Sequence, residues 1–120
     1  PEEWVRQHFV SYLTDYLHYP PGLIRTEASF RLHSMLRRAD ILIHDRAGEP
    51  VMIVECKAPA VKITQEVFDQ VINYNFSYGV RYLVVTNGNT LYAGKIDRQG
   101  HSFTLLDHIP DYTTISKEQP

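Results

Sequence analysis

Two β-rich runs, residues 39–45 and 50–57, flank Asp45-Arg46-Ala47-Gly48-Glu49-Pro50. Glycine and proline between such runs mark an antiparallel hairpin, here with a four-residue loop. The second run, Val51-Met52-Ile53-Val54-Glu55-Cys56-Lys57, is apolar until two charges close it, and Ala58-Pro59-Ala60 then stops it. Residues i and i+2 share one face of a strand, so Glu55 and Lys57 project together while Cys56 points to the opposite, core-facing side. A register that pairs Asp45 with Pro50 sets Asp40 opposite Glu55, with Cβ atoms roughly 5 Å apart. Two carboxylates would then stand side by side, with a lysine one pleat away.

The flanking segments say what the hairpin packs against. Residues 2–18 carry Trp4, Val5, His8, Phe9, Tyr12, Leu13, Tyr16 and Leu17 at helical steps. Pro1, Glu2 and Glu3 suit the start of that helix, and Pro20-Pro21-Gly22 breaks it. Residues 23–33 read as extended. Residues 64–78 return to helical periodicity through Val67, Phe68, Val71 and Ile72, with Thr64 as N-cap and Gly79 as stop. Tyr82 to Thr86 has the continuous apolar character of a buried central strand. Asn87-Gly88-Asn89 is a turn, Thr90 to Ile96 a further strand, and residues 102–106 an edge strand. The fold class is therefore mixed α/β: an antiparallel hairpin leads through a helical crossover to another strand. One domain over residues 1–110 is expected, followed by a loose polar tail over 111–120.

Composition narrows the function classes. The 120 residues support one domain and leave no room in this stretch for a motor. A formal charge of −2 argues against a wholly basic binder, but charge is local. Arg25, Arg31, Arg37 and Arg38 against the single acid Glu27 give +3 over fourteen residues. That stretch is either a solvated strand face or a phosphate-contacting surface. No apolar run approaches the roughly 20 residues of a membrane helix. The lone Cys56 excludes an internal disulfide and favours a reducing compartment, hence a cytoplasmic location. Six histidines without paired spacing, and one cysteine, do not make a zinc site. Cys56 with His44 is a poor nucleophile pair, because Cys56 is expected to face the core.

The spaced motifs resemble a known family. Asp40, then Glu55-Cys56-Lys57, matches the D…(D/E)-x-K core of the PD-(D/E)xK nucleases, which share the restriction-endonuclease-like fold. Four longer segments match in order: Arg38-Ala39-Asp40-Ile41-Leu42-Ile43, Val54-Glu55-Cys56-Lys57-Ala58-Pro59, Phe68-Asp69-Gln70-Val71-Ile72-Asn73-Tyr74-Asn75 and Val85-Thr86-Asn87-Gly88. Together, over about Pro1 to Ile96, they resemble the N-terminal nuclease domain of the type I restriction enzyme R subunit. The resemblance implies Mg²⁺, or Mn²⁺ in its place, held by Asp40, Glu55 and the carbonyl of Cys56. It implies Lys57 as the residue that orients the attacking water and stabilises charge on the phosphate. Gln70 and Tyr74, four apart on a helix, would support the site. Many family members add a glutamate from the first helix, for which Glu3 is the candidate, Glu2 the alternative and Glu27 a third.

Mg²⁺-dependent DNA hydrolysis follows as the expected activity, with Arg25, Arg31, Arg37 and Arg38 on the phosphates. DNA is the expected partner, with other restriction-modification or repair subunits beside it, and an oligomer remains open. Two alternatives stand. One is a DNA-binding or assembly module that keeps the fold and acts only within a larger machine. The other is a structural salt bridge among Asp40, Glu55 and Lys57.

Overall fold

Alternation along the hairpin decides the layering. Ile41 and Ile43 turn to one face and Leu42 to the other, and all three are buried. Both faces of this sheet are therefore covered, as in doubly packed α/β sheets. A computed structural model describes residues 1–32, 35–75, 80–97 and 102–118. Helix α1 spans Glu2–Asp15, strand β1 Ile24–Leu32, β2 Met35–His44 and β3 Pro50–Cys56. Helix α2 spans Gln65–Asn75, β4 Tyr82–Thr86, β5 Leu91–Ile96, β6 Phe103–Leu106 and helix α3 Tyr112–Lys117.

The strands form one six-stranded sheet in the order β1-β2-β3-β4-β5-β6. Neighbours are antiparallel except β3 and β4, which are parallel and joined by α2. Parallel neighbours need such a crossover because a tight turn cannot reverse the chain twice. Val5, Phe9 and Leu13 of α1 and Ile115 of α3 pack with Ile41, Ile43, Met52 and Val54. Phe68 and Ile72 of α2 pack with Leu42, Ile53, Leu83 and Val85 on the other side. β4 is buried throughout, as its apolar run implied. The Thr64 hydroxyl accepts from the Val67 N–H at 3.2 Å, which caps α2. The expected stop at Gly79, with residues 76–78, lies outside the described residues.

Three details differ from the expectations. Helix α1 ends at Asp15 rather than residue 18. Pro20 bars helical geometry at Tyr19, and His18 takes a left-handed backbone, φ 62°, that turns the chain out of the helix. The hairpin closes with His44 opposite Pro50, and Val51 is an extra residue on β3 before Met52 pairs with Ile43. This bulge shifts the loop by one residue. The register beyond it is Ile43 with Met52, Leu42 with Ile53 and Ile41 with Val54. Extended by one residue, it puts Asp40 opposite Glu55.

The third difference is the tail. Residues 112–117 form α3 instead of a loose segment. The Asp111 carboxylate accepts from the Thr114 N–H at 2.8 Å and caps the helix. Tyr112 packs edge-on against Tyr19, whose hydroxyl donates to the Pro110 carbonyl at 2.7 Å. Beyond the helix, Glu118 accepts from the Tyr82 hydroxyl at 2.6 Å and from Lys95 Nζ at 2.9 Å. One apolar side chain, Ile115, carries most of the helix burial, at 2 % exposure, so periodicity had little to register. Ile115→Ala should lower stability by about 2 kcal/mol, measured by chemical denaturation, because it leaves a cavity in the α1-side core. A change within error would mean that α3 does not belong to the cooperative fold.

Candidate active site

The charged end of β3 opens into a cleft of about 510 Å³, lined by α1, β1, β2 and β3. Asp40 and Glu55 both line it and are half-buried. Asp40 Oδ2 accepts from the Cys56 N–H at 2.7 Å, which ties the carboxylate to the end of β3. The β2–β3 register, extended by one residue, sets Asp40 opposite Glu55. Burial first, then the Asp40 charge, push the Glu55 carboxyl up to about 8. Lys57 opposes the rise and Glu2 adds to it. The Glu55 carboxyl therefore keeps its proton at neutral pH unless a cation replaces it.

Lys57 is placed by β4 rather than by its own strand's partner β2. Its N–H donates to the Thr86 carbonyl at 2.8 Å, one residue past the end of β3. The segment after Lys57 is pinned as well. The Asn87 side-chain amide donates to the Val61 carbonyl at 2.7 Å, and its oxygen accepts from the N–H groups of Asn89 and Thr90. Asn87 is 5 % exposed, so each of these bonds replaces one that water would otherwise make. Gly88 follows with φ 93°, a left-handed backbone in which a side chain would be strained, although a Cβ there would meet Val5 and the Trp4 ring only at ordinary contact distance. Thr86-Asn87-Gly88 is thus the clamp that holds the Lys57–Val61 segment.

Cys56 faces the α1-side core at 3 % exposure. Burial, then the Asp40 and Glu55 charges, push its thiol up to about 12, so it stays protonated and unreactive.

The comparisons bear on what this cleft is. The sequence model of the family described as "Type I restriction enzyme R protein N terminus" matches residues 1–110. The chain belongs to this family. A fragment provisionally assigned as an HsdR subunit of a type I restriction enzyme from Vibrio vulnificus YJ016 superposes with a TM-score of 0.62 at 19% identity. That match covers 92% of this chain and 24% of the other, so the chain spans about a quarter of that relative's length. A protein provisionally assigned as a nuclease of the DUF820 group, from Anabaena variabilis ATCC 29413, superposes with a TM-score of 0.55 at 14% identity, over 97% of this chain and 74% of the other. No curated protein matches the chain. The fold is restriction-endonuclease-like, a mixed sheet flanked by helices on both faces.

Within this R-protein N-terminal domain, the other candidate residues separate. Glu3 lines the cleft, but its carboxylate is bonded to Arg6 at 3.1 Å. Glu2 lines it too and acts electrostatically on Glu55. Glu27 lines it from β1 and pairs with Arg6 at 3.0 Å. Arg38 is exposed at the cleft, whereas Arg25 is exposed on β1 and does not line it. The side chains of Arg31, Arg37 and Tyr74 lie outside the described residues. Gln70 is exposed on α2.

Among the described residues, no group of three or more His, Cys, Asp or Glu side chains is arranged to hold a metal ion. The candidate set has two carboxylates, and its third member is a backbone carbonyl. Arg6 is the residue that sequence reasoning missed. Its one signal was the three-residue spacing from Glu3. Also among the described residues, no helix is long and apolar enough to cross a membrane.

Proposed function

We propose that this domain hydrolyses DNA phosphodiester bonds with Mg²⁺, or Mn²⁺ in its place, at the Asp40–Glu55 pair. The observation that carries the reading is the placing of two half-buried carboxyl groups, Asp40 and Glu55, in one cleft by a strand register that runs to set them opposite each other. Hard carboxylate oxygens suit a small divalent ion. Asp40, Glu55 and the carbonyl of Cys56 are the groups that would hold it. When bound, the ion supplies positive charge for the phosphate and acidifies the attacking water. Asp40 is held by the Cys56 N–H, so its orientation is preset. Lys57, fixed through Thr86, orients the water and meets negative charge as it develops. Gln70 and Tyr74 support the site from α2, while Arg25, Arg31, Arg37 and Arg38 contact phosphates. Within a restriction-modification assembly, DNA is the substrate and the assembly's other subunits are partners.

Plasmid cleavage by the intact chain in Mg²⁺ or Mn²⁺, beside Asp40→Asn, tests the reading, with calorimetric titration of Mn²⁺ in parallel. Cleavage and metal binding by the intact chain, both lost in Asp40→Asn, is the expected result. No cleavage by the intact chain, or equal cleavage by both, overturns it. A second reading is a DNA-binding or assembly module that keeps the fold without catalysis. It is favoured by Arg6, which already neutralises Glu3 and Glu27, as a structural strap would. DNA binding indifferent to Asp40→Asn, without cleavage, would support it.

A further inference from the structure

The cleft holds one cation from outside the arginine-rich strands. Arg6 enters it from α1 and is caught between two acids, Glu3 on its own helix and Glu27 on β1. The burial is uneven. The Arg6 side chain is 15 % exposed, while Glu3 and Glu27 are 68 % and 63 % exposed. The carboxylates therefore stand at the rim, and the guanidinium lies inside with the residues that line the cleft.

Its place is also bought with backbone strain. Glu27 adopts φ 48°, a left-handed conformation that a non-glycine residue avoids in a strand. The β1–β2 pairing lapses at that point: Thr26 pairs with Ile41 and Ala28 with Ala39, with no pair between Glu27 and Asp40. The distortion thus sits opposite Asp40 and aims Glu27 at Arg6. A guanidinium has five N–H groups in a planar fork. Among the described residues, Arg6 has one contact to each acid, so donors remain for a third oxyanion. Arg6 lines the same cleft as Asp40 and Glu55.

We infer that Arg6 contacts a backbone phosphate of the nucleic acid in this cleft, and that Glu3 and Glu27 position it there. The inference rests on the proposed function and adds a residue and a contact to it. Exposed carboxylates bind a guanidinium weakly because water and salt screen them. A phosphate therefore joins the fork without having to displace both acids.

The experiment is a salt series of duplex-DNA binding by fluorescence anisotropy, with Ca²⁺ in place of Mg²⁺, on the full chain. Each phosphate contact contributes about −0.9 to the slope of log K against log salt for duplex DNA. Arg6→Met, which keeps the aliphatic stem, should make the slope shallower by about one. Arg6→Lys, which keeps the charge, should restore it. A lower melting temperature with an unchanged slope marks Arg6 as a strap between α1 and β1 and overturns the inference. No DNA binding by the wild-type chain overturns it as well.

The wild-type chain offers a second readout that needs no substitution. Bound DNA should protect Arg6 from phenylglyoxal, read by mass spectrometry, with Arg46 on the hairpin loop as the internal comparison. Modification of Arg6 unaffected by DNA overturns the contact. Failure of the nuclease reading shows separately, as absent Mg²⁺-dependent cleavage or cleavage indifferent to Asp40→Asn.

Discussion

Lys57→Ala should slow DNA cleavage about 100- to 1,000-fold, the usual cost of removing one preorganised charge or donor from a developing anion. The metal affinity should stay close to wild type, because Lys57 is not among the groups proposed to hold the ion. The fold should stay intact too. Lys57 belongs to neither core cluster, and its structural bond to Thr86 runs through the backbone N–H, which alanine keeps. Cleavage of supercoiled plasmid in Mg²⁺, calorimetric Mn²⁺ titration and the melting temperature separate these effects. Asp40→Asn should lose cleavage and metal together, whereas Lys57→Ala should lose cleavage alone. Cleavage by Lys57→Ala at the wild-type rate would remove Lys57 from the mechanism.

The metal-free protein should become less stable as pH rises from about 4.5 to about 8. The Glu55 carboxyl is held up in the folded state, so the folded chain binds more protons than the unfolded chain across that window. Stability therefore falls with rising pH there. The contribution is fully present below the ordinary carboxylate range and is lost once Glu55 ionises. Each pKa unit corresponds to about 1.36 kcal/mol. With some access of water to Glu55 the loss is on the order of 3 kcal/mol. Glu55→Gln should flatten the profile, because an amide does not ionise. Saturating Mg²⁺ or Mn²⁺ should reverse the loss at pH 8, since an ion that binds only the folded state stabilises it. Urea midpoints from pH 4.5 to 8.5, with EDTA and with metal, read this directly. A profile that rises through that window in EDTA would contradict the raised Glu55 carboxyl.

Much of the core was legible because it is periodic. The apolar run Tyr82–Thr86 announces a buried central strand, and the β-rich runs 39–45 and 50–57 announce the hairpin beside it. The crossover helix α2 follows from its Phe68 and Ile72 spacing, and its start from Thr64. The site register was legible for a less secure reason. The loop pairing assumed for it is off by one residue, yet the bulge at Val51 returns the strands to the expected alignment at Met52. A bulge depends on local twist and loop closure, and leaves little trace in composition. Helix α3 was hidden because its stability comes from contacts far away in the chain: Ile115 in the core, Tyr112 on Tyr19, and Glu118 on Tyr82 and Lys95.

The sequence by itself determined the mixed α/β fold and the family, because both rest on short-range periodicity and on motifs within single elements, whereas the approach of Asp40 to Glu55 also needed the bulge at Val51. Only the tertiary structure decided which further charges enter the cleft. Arg6 lies 21 positions from Glu27 in the chain, and their 3.0 Å contact exists only because α1 packs on β2 and β3, next to the distorted middle of β1. Charge pairing across elements depends on where packed helices come to rest, and no local spacing encodes that.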